Sequence, residues 1–540
     1  MEINLADIFE SIVDVIPNHP AVVCNRSITY AELDERSNRL ASVWKSQGIG
    51  HGDHIGLLLY NSTEFVEAMV AALKLRAVPV NLNYRYVAHE LVYMFDNANL
   101  VGLVYERELS DTVAAALAES KPMRTLIAVD SGDAGGESSR GGWVGEKGSE
   151  SFEDVVERGS PDRMDLARSG DDIIIMYTGG TTGMPRGVLW QHRDLLYGML
   201  QGGAPGGLPI ESAEEIAENV DPDNTMIILP AAPMIHGSSM FSCWIAMFTG
   251  GTTVMVHGRS YDAEKMCQLI SENNVSVLSL VGDAMARPLV DALVKLDGKY
   301  DLDCLAVITS QGALLSGGVR AQIVEQLPDA MILNNFGTSE SGHQGEAFYE
   351  GDGEDAKPRW IMNERTCVLG DDLVPVEPGD GRIGRLATSG HIPIGYYNDP
   401  VKTAKTFVEV DGVRWVIAGD RAMVDEEGVI VFLGRGSQCI NSGGEKVYPE
   451  EVEEALKAHP GVFDALVVGV SDERWGSRVE AVVAMRPEHP FDQDSIDTAC
   501  RERVAGYKAP RGYHVVDAVP RHPNGKPDYK RARAIALGEA

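Results

Sequence analysis

Cysteine is scarce in this chain, with seven scattered among 540 residues. No CxxC pair and no Cys/His spacing of a zinc module occurs. Neither a disulfide scaffold nor a structural zinc site is therefore expected, and the sparse, odd-numbered set fits a reducing compartment. Basic residues are also few, with 47 Lys and Arg against 80 Asp and Glu and a net charge of -33. Such a balance offers no basic face to a nucleic acid, and an anionic ligand must find a locally positive pocket. Long apolar runs are missing. The stretch MFSCWIAMF (240–248) is broken by Thr249-Gly250-Gly251 and is too short to span a bilayer. The opening segment MEINLADIFE is acidic and does not read as a secretion signal. The expectations are no nucleic-acid partner, no transmembrane segment and a cytoplasmic location. The remainder, 44% hydrophobic and 24% charged, is ordinary for a globular chain of a length that calls for more than one domain.

The first part alternates helix-like and strand-like segments. ITYAELDERSNRLASVWKSQGIG opens with a strand signal and continues as an amphipathic helix with Leu33, Leu40, Ala41 and Trp44 near one face. HIGLLLY (54–60) reads as a buried strand, EFVEAMVAALKLRA (64–77) as a helix and VPVNL as the next strand. This alternation predicts a layered α/β domain. Two stretches rich in glycine, 131–150 and 202–224, read as mobile surface loops, and the second could border a substrate. A boundary is expected near FLGRGSQC (432–439). It divides the chain into units 1–434 and 435–540, the second a small α+β domain with a helix at Pro449 and strands at 464–470 and 480–486.

The densest chemistry lies in YTGGTTGMPRG (177–187), directly after the apolar run DIIIM. Its glycines let backbone N–H groups approach a ligand, its threonines donate hydroxyl bonds and Arg186 adds a permanent charge. Together they suit a polyphosphate. The string is not the GxxxxGK[ST] phosphate loop, and it lacks the GxGxxG dinucleotide pattern. Taken alone it also fits a plain Gly/Thr turn between a strand and a helix.

Further strings follow in order: PMIHG (233–237), SQGALLS (310–316), NNFGTSESG (334–342), GYYND (395–399), IAGDRAMVDEEG (417–428), LGRGSQCINSGGEKVYPEEVE (433–453) and PRHPNGKPDYKRAR (520–533). With YTGGTTGMPRG they resemble, along almost the whole chain, the adenylate-forming superfamily. That superfamily comprises acyl-CoA synthetases, peptide-synthetase adenylation domains and luciferases. Gly179 stands where the family pattern has Ser, Arg186 where it has Lys, and Ser437 where many relatives carry Asp or Lys.

The resemblance implies a large α/β N-terminal domain of layered subdomains and a small, mobile α+β C-terminal domain. It implies ATP and CoA as co-substrates, Mg2+ as cofactor, a small carboxylic acid as partner and a homodimer as the assembly. By resemblance, Thr178, Gly179, Gly180, Thr181, Thr182, Gly183 and Arg186 cradle ATP phosphates. Gly312, Ala313, Asn334, Asn335, Phe336, Gly337, Thr338 and Ser339 frame adenine and its surroundings. Asp420 takes the ribose hydroxyls, a bidentate task for a carboxylate, with Arg435 and Lys446 nearby. Lys526 bridges the carboxylate and the α-phosphate as a compact cation. Glu340 and Thr178 hold Mg2+, a hard cation that prefers oxygen. Met234, Ile235, His236, Gly282 and Gln311 line the acyl pocket, with His236 gating it or touching the carboxylate. Ser437, Gly443 and Gly444 supply the hinge and the CoA-side loop.

The implied reaction activates a carboxylate as acyl-AMP and passes the acyl group to CoA, releasing pyrophosphate and AMP. GDAMARPLVDALVK (282–295), GVFDALVVGV and AGYKAPR resemble a bacterial branch that activates steroid side-chain acids and fatty acids, and both acids stay open. Also open are an aryl or other acid:CoA ligase, a CoA-independent enzyme that loads a carrier protein, and a non-catalytic nucleotide-binding protein.

Overall fold

The computed structural model describes residues 3–130, 148–178, 185–203, 208–296, 298–313, 315–350, 357–435, 438–442, 445–472, 476–504, 506–522 and 525–540. The early elements follow local chemistry. Thr29 caps the helix Tyr30–Ser46, with Glu32 returning a bond to the Thr29 amide. Leu33, Leu40, Ala41 and Trp44 on that helix are buried, as its periodicity predicts. The strand His54–Leu58, the helix Thr63–Lys74 begun by Ser62 and the strand Val78–Asn81 follow.

Two large sheets carry the N-terminal unit. In the eight-stranded sheet, Val78–Asn81 lies between His54–Leu58 and Ile173–Thr178, all parallel. In the nine-stranded sheet, the parallel strands Ile227–Pro230, Val277–Leu280, Val307–Gln311 and Met331–Thr338 form the centre. The strands His54–Leu58 and Val78–Asn81 are wholly buried runs, as expected for parallel sheets covered by helices, whereas Met331–Thr338 is mostly half-buried. A six-stranded antiparallel sheet follows, and its last strand is Ile430–Arg435.

The chain then enters a separate five-stranded sheet, starting at Ile440–Ser442. Its long hairpin pairs Val462–Asp472 with Gly476–Met485. Side-chain alternation splits this hairpin between two small cores. Val467, Val479 and Ala481 pack with Val452, Leu456 and Ile496. Leu466, Val468 and Val482 pack with Ala532 and Ala536 of the helix Tyr529–Leu537. Among the described residues, no helix is long and apolar enough to cross a membrane.

Two expectations are corrected. The 202–224 stretch is not simply a loop. It contains the helix Ala213–Asn219, which packs against the N-terminal helix Leu5–Val15, and Ile210 and Ile216 are buried in the core. Its sparse apolar residues suffice because they dock against a surface made elsewhere in the chain. The Gly/Thr stretch does not link a strand to a helix. Ile173–Thr178 and Arg186–Gln191 are antiparallel neighbours with Thr178 opposite Arg186, so the stretch closes a hairpin. Most of the 131–150 stretch lies outside the described residues.

Glu453 is a buried carboxyl in the C-terminal unit, 6% exposed. It accepts bonds from Val467 N at 2.9 Å and the Tyr529 hydroxyl at 3.3 Å. Burial pushes its carboxyl up to about 7 despite the nearby Lys457 and Arg521. An acid whose proton is held more tightly folded than unfolded adds stability at low pH. That stability is lost as pH rises from the ordinary value of 4.5 through about 7. Glu453→Gln should therefore raise the Tm at pH 8 relative to wild type and raise it less, or not at all, at pH 5. Thermal melts at the two pH values check this, and an equal shift at both would contradict it.

Candidate active site

The site residues lie where parallel strands end, the usual place for ligands in α/β sheets. The strand Ile173–Thr178 delivers Thr178 to the hairpin, and Arg186 starts the return strand. The strand Gly395–Tyr396 adds to that return strand, with Tyr396 opposite Val188. This pairing brings GYYND to Glu340. The Tyr396 hydroxyl donates to Glu340 Oε1 at 2.9 Å. Burial, and then the Glu340 carboxylate, push the Tyr396 phenol well above its ordinary range, so it stays a proton donor. Arg186 pairs with Asp399 at 3.2 Å, tying the base of the hairpin to the same segment. Trp190 Nε1 donates to Ser339 O at 2.9 Å and fixes the backbone beside Glu340.

The 310–316 turn is held from below. Asn334, 1% exposed, accepts the Leu315 amide, and Ser310 Oγ accepts the Gly282 amide at 2.9 Å. Gly312 adopts φ +77, a left-handed conformation that favours glycine. Lys526 arrives over it from the C-terminal unit. A methyl group on Gly312 would lie 3.2 Å from Lys526 Cε and 3.8 Å from Nζ. Lys526 is also close enough to His236 for its charge to be felt there. Burial first, then Lys526 and Arg85, pull the imidazole down to about 3. His236 is neutral at physiological pH, and its Nε2 is buried with no hydrogen-bond partner. The segment that carries it is pinned by Asn61, which accepts the Met234 amide at 2.8 Å, and by Asn81, which donates to Ile235 O. Gln311 Nε2 donates to Ser279 Oγ at 2.9 Å and to Ser238 O at 3.1 Å, forming a polar floor beneath that segment.

The structure ties Thr178, Arg186 and Glu340 together through the 395–399 segment, and gathers Gly282, Gln311, Gly312 and Lys526 with Met234–His236 around the 310–316 turn. Asp420 is buried at the start of the strand Asp420–Val424, with the backbone of Arg435 as its cross-strand neighbour. Lys446 lies on the strand Glu445–Val447, opposite Asn441. Gly179, Gly180, Thr181, Thr182, Gly183, Ser437, Gly443 and Gly444 lie outside the described residues. Four residues expected around adenine, Asn334, Phe336, Gly337 and Thr338, do structural work. Asn334 holds the turn beside Ala313. The ring of Phe336 packs edge-on against Phe432 at 4.8 Å and Trp360 at 5.2 Å. A Cβ on Gly337 would run into the carbonyl of Gly342, so close strand return requires glycine there. Thr338 Oγ1 and Ser341 Oγ are 2.9 Å apart, which closes the turn before Glu340. Sequence reasoning missed Tyr396 and Asp399. Both stood in GYYND, a string noted as a motif without roles for its side chains.

These parts define the class, a large mixed α/β unit whose cleft receives a lysine from a small α+β unit. The chain belongs to the AMP-binding enzyme family. The family model for the AMP-binding enzyme matches residues 9–397, and that for its C-terminal domain matches 451–526. A medium/long-chain-fatty-acid--CoA/3-oxocholest-4-en-26-oate--CoA ligase of Mycobacterium marinum is 43% identical, covering 98% of this chain and 96% of its own. The 3-oxocholest-4-en-26-oate--CoA ligase of Rhodococcus rhodochrous is 42% identical over 99% of this chain and 96% of its own. Among solved structures, the anthranilate CoA ligase AuaEII in complex with anthranoyl-AMP shares the fold. Its TM-score is 0.84 and its identity 21%, covering 99% of this chain and 97% of its own.

Tyr396→Phe removes a hydrogen bond to a charged group, worth about 1.5–3 kcal/mol. The expected result is a rise in the KM for ATP of about tenfold, with the fold intact by circular dichroism. Steady-state kinetics check this, and an unchanged KM would contradict it.

Proposed function

We propose that this chain is an AMP-forming acid:CoA ligase acting on a medium- or long-chain fatty acid or a steroid side-chain acid. The observation that carries the reading is Lys526, brought from the C-terminal unit to the Gly312 turn beside a neutral His236. The substrate carboxylate attacks the α-phosphorus of ATP, and the bond to the β-phosphate's bridging oxygen breaks, releasing pyrophosphate. Two anions must meet for this, and Lys526 supplies the compact positive charge between them. A neutral His236 adds no competing cation and offers one hydrogen bond beside the carboxylate. CoA thiol then attacks the acyl carbon, and AMP leaves with its bridging oxygen. Asp420 and Arg435 serve the ribose, Thr178, Gly179, Gly180, Thr181, Thr182, Gly183 and Arg186 the phosphates, and Lys446 the phosphate side of the moving unit. The functional units are 1–434 and 435–540, with Ser437, Gly443 and Gly444 as the hinge and CoA-side residues.

Glu340 and Thr178 are hard oxygen donors, and among the described residues no group of three or more His, Cys, Asp or Glu could hold a metal. This set fits Mg2+, an ion carried mainly by phosphates and water. When bound, Mg2+ shields the pyrophosphate charge. The acid assignment draws on the two ligases at 42–43% identity and on the PMIHG segment. A cytoplasmic homodimer completes the proposal.

The test supplies MgATP, CoA and a panel of fatty, aromatic and steroid side-chain acids, with products read by mass spectrometry. A fatty or steroid acyl-CoA with matching AMP is expected. Acyl-AMP without acyl-CoA, or no ATP use with any acid, would overturn the reading. Lys526→Ala is expected to slow acyl-AMP formation by about a hundredfold or more. Thioester formation from supplied acyl-AMP should stay within about twofold of wild type, because charge neutralisation is needed only in the first step. Equal loss in both steps would contradict that role.

A further inference from the structure

The first turn of the helix Gly282–Lys295 is where the C-terminal unit is seated. Asp283 is 2% exposed, and its Oδ1 accepts the Ser316 amide at 2.8 Å. Its Oδ2 faces two cations. One is Arg287, a turn further along the same helix, at 3.5 Å. The other is Lys457 at 3.2 Å, from the last turn of the C-terminal unit's helix Pro449–Lys457. Arg287 reaches across as well, its guanidinium 5.5 Å from the centre of the Phe463 ring. The neighbour of Phe463, Asp464, takes Arg521 in two bonds of 2.8 and 2.9 Å. Arg521 donates a third to Gly525 O at 3.0 Å. Gly525 precedes Lys526, and a methyl group on it would lie 3.4 Å from Ala284 Cβ. The loop that bears Lys526 thus touches down on the helix turn that carries Asp283.

A buried carboxylate is costly unless it is paired and hydrogen-bonded. Burial opposes the Asp283 charge, yet Lys457, Arg287 and the Ser316 amide hold its carboxyl down at about 2. It is an anion throughout the physiological range. We propose that Asp283 is the docking anchor of the C-terminal unit. By pairing with Lys457 it seats the Lys526 loop over Gly312, and it is a positioning residue for adenylation alone. The anchor is built to release. When Lys457 departs, Arg287 and the Ser316 amide remain with the carboxylate, so the charge is not left bare. A moving domain needs a contact of this kind, specific in one pose and tolerable in the other.

This inference rests on the role proposed for Lys526, so Lys526→Ala is run beside it. The acid is the one the panel returns, with its synthetic acyl-AMP for the second half-reaction. Lys457→Gln removes the docking charge from the C-terminal side, and Asp283→Asn keeps the acceptor for Ser316. Each is expected to slow acyl-AMP formation by about tenfold or more, with thioester formation from supplied acyl-AMP within about twofold of wild type. The double variant should be no slower than the slower single one, because both remove the same pair. Lys457→Arg should restore most of the rate. If Asp283→Asn fails to fold, the Lys457 variants carry the test. Adenylation that is unaffected by Lys457→Gln, or both half-reactions falling together, overturns the anchor while a selective Lys526→Ala effect leaves the function standing. A Lys526→Ala variant with no selective effect overturns both.

Discussion

Everything in this protein's cleft answers to one electrostatic constraint. A carboxylate must be brought against a polyphosphate inside a chain whose own net charge is -33. Like charges at contact in a low-dielectric site repel by many times the thermal energy. The positive charge must therefore be local, fixed and present only where it is needed. The structure meets this by delivery. Lys526 comes from a separate small sheet unit and reaches the Gly312 turn, while burial and the two nearby cations keep His236 neutral. In the proposed reaction, the cation between the two anions belongs to the C-terminal unit.

That arrangement shifts attention from the reacting groups to the docking surface. Two ionic contacts support the Lys526 loop. Arg521, clamped to Asp464, holds Gly525 from within the C-terminal unit. The Asp283–Lys457 pair joins that unit to the start of the 282–295 helix. The same helix turn lies beside Gly282 and, through Ser310 and Asp283, is bonded to the 310–316 turn. Seating of the lysine and shaping of the turn that receives it thus share one piece of structure.

The fold was largely legible in the sequence wherever periodicity and local caps decide it. The helices Tyr30–Ser46 and Thr63–Lys74 and the strands around 54–58 and 462–485 lie where their patterns place them. The helix Ala213–Asn219 was hidden because its stability comes from the helix Leu5–Val15, which is distant in sequence. The hairpin nature of the Gly/Thr stretch was hidden because strand pairing is a long-range fact, and Arg186–Gln191 has no neighbour signal of its own. In the candidate site, motifs marked segments but not what each side chain in them packs against. Strand alternation turns Phe336 toward Trp360 and Phe432, and Asn334 toward Leu315. The Asp283–Lys457 pair left no local trace, since each residue alone reads as an ordinary charge on a helix.

The central claim is that the acid's own oxygen attacks the α-phosphorus of ATP. The most direct measurement is a turnover with acid labelled by 18O in both carboxylate oxygens, followed by mass spectrometry of all products. The account predicts one 18O in AMP, one in the acyl-CoA and none in pyrophosphate. Label in inorganic phosphate with ADP as the nucleotide product, or AMP formed without label, would contradict it.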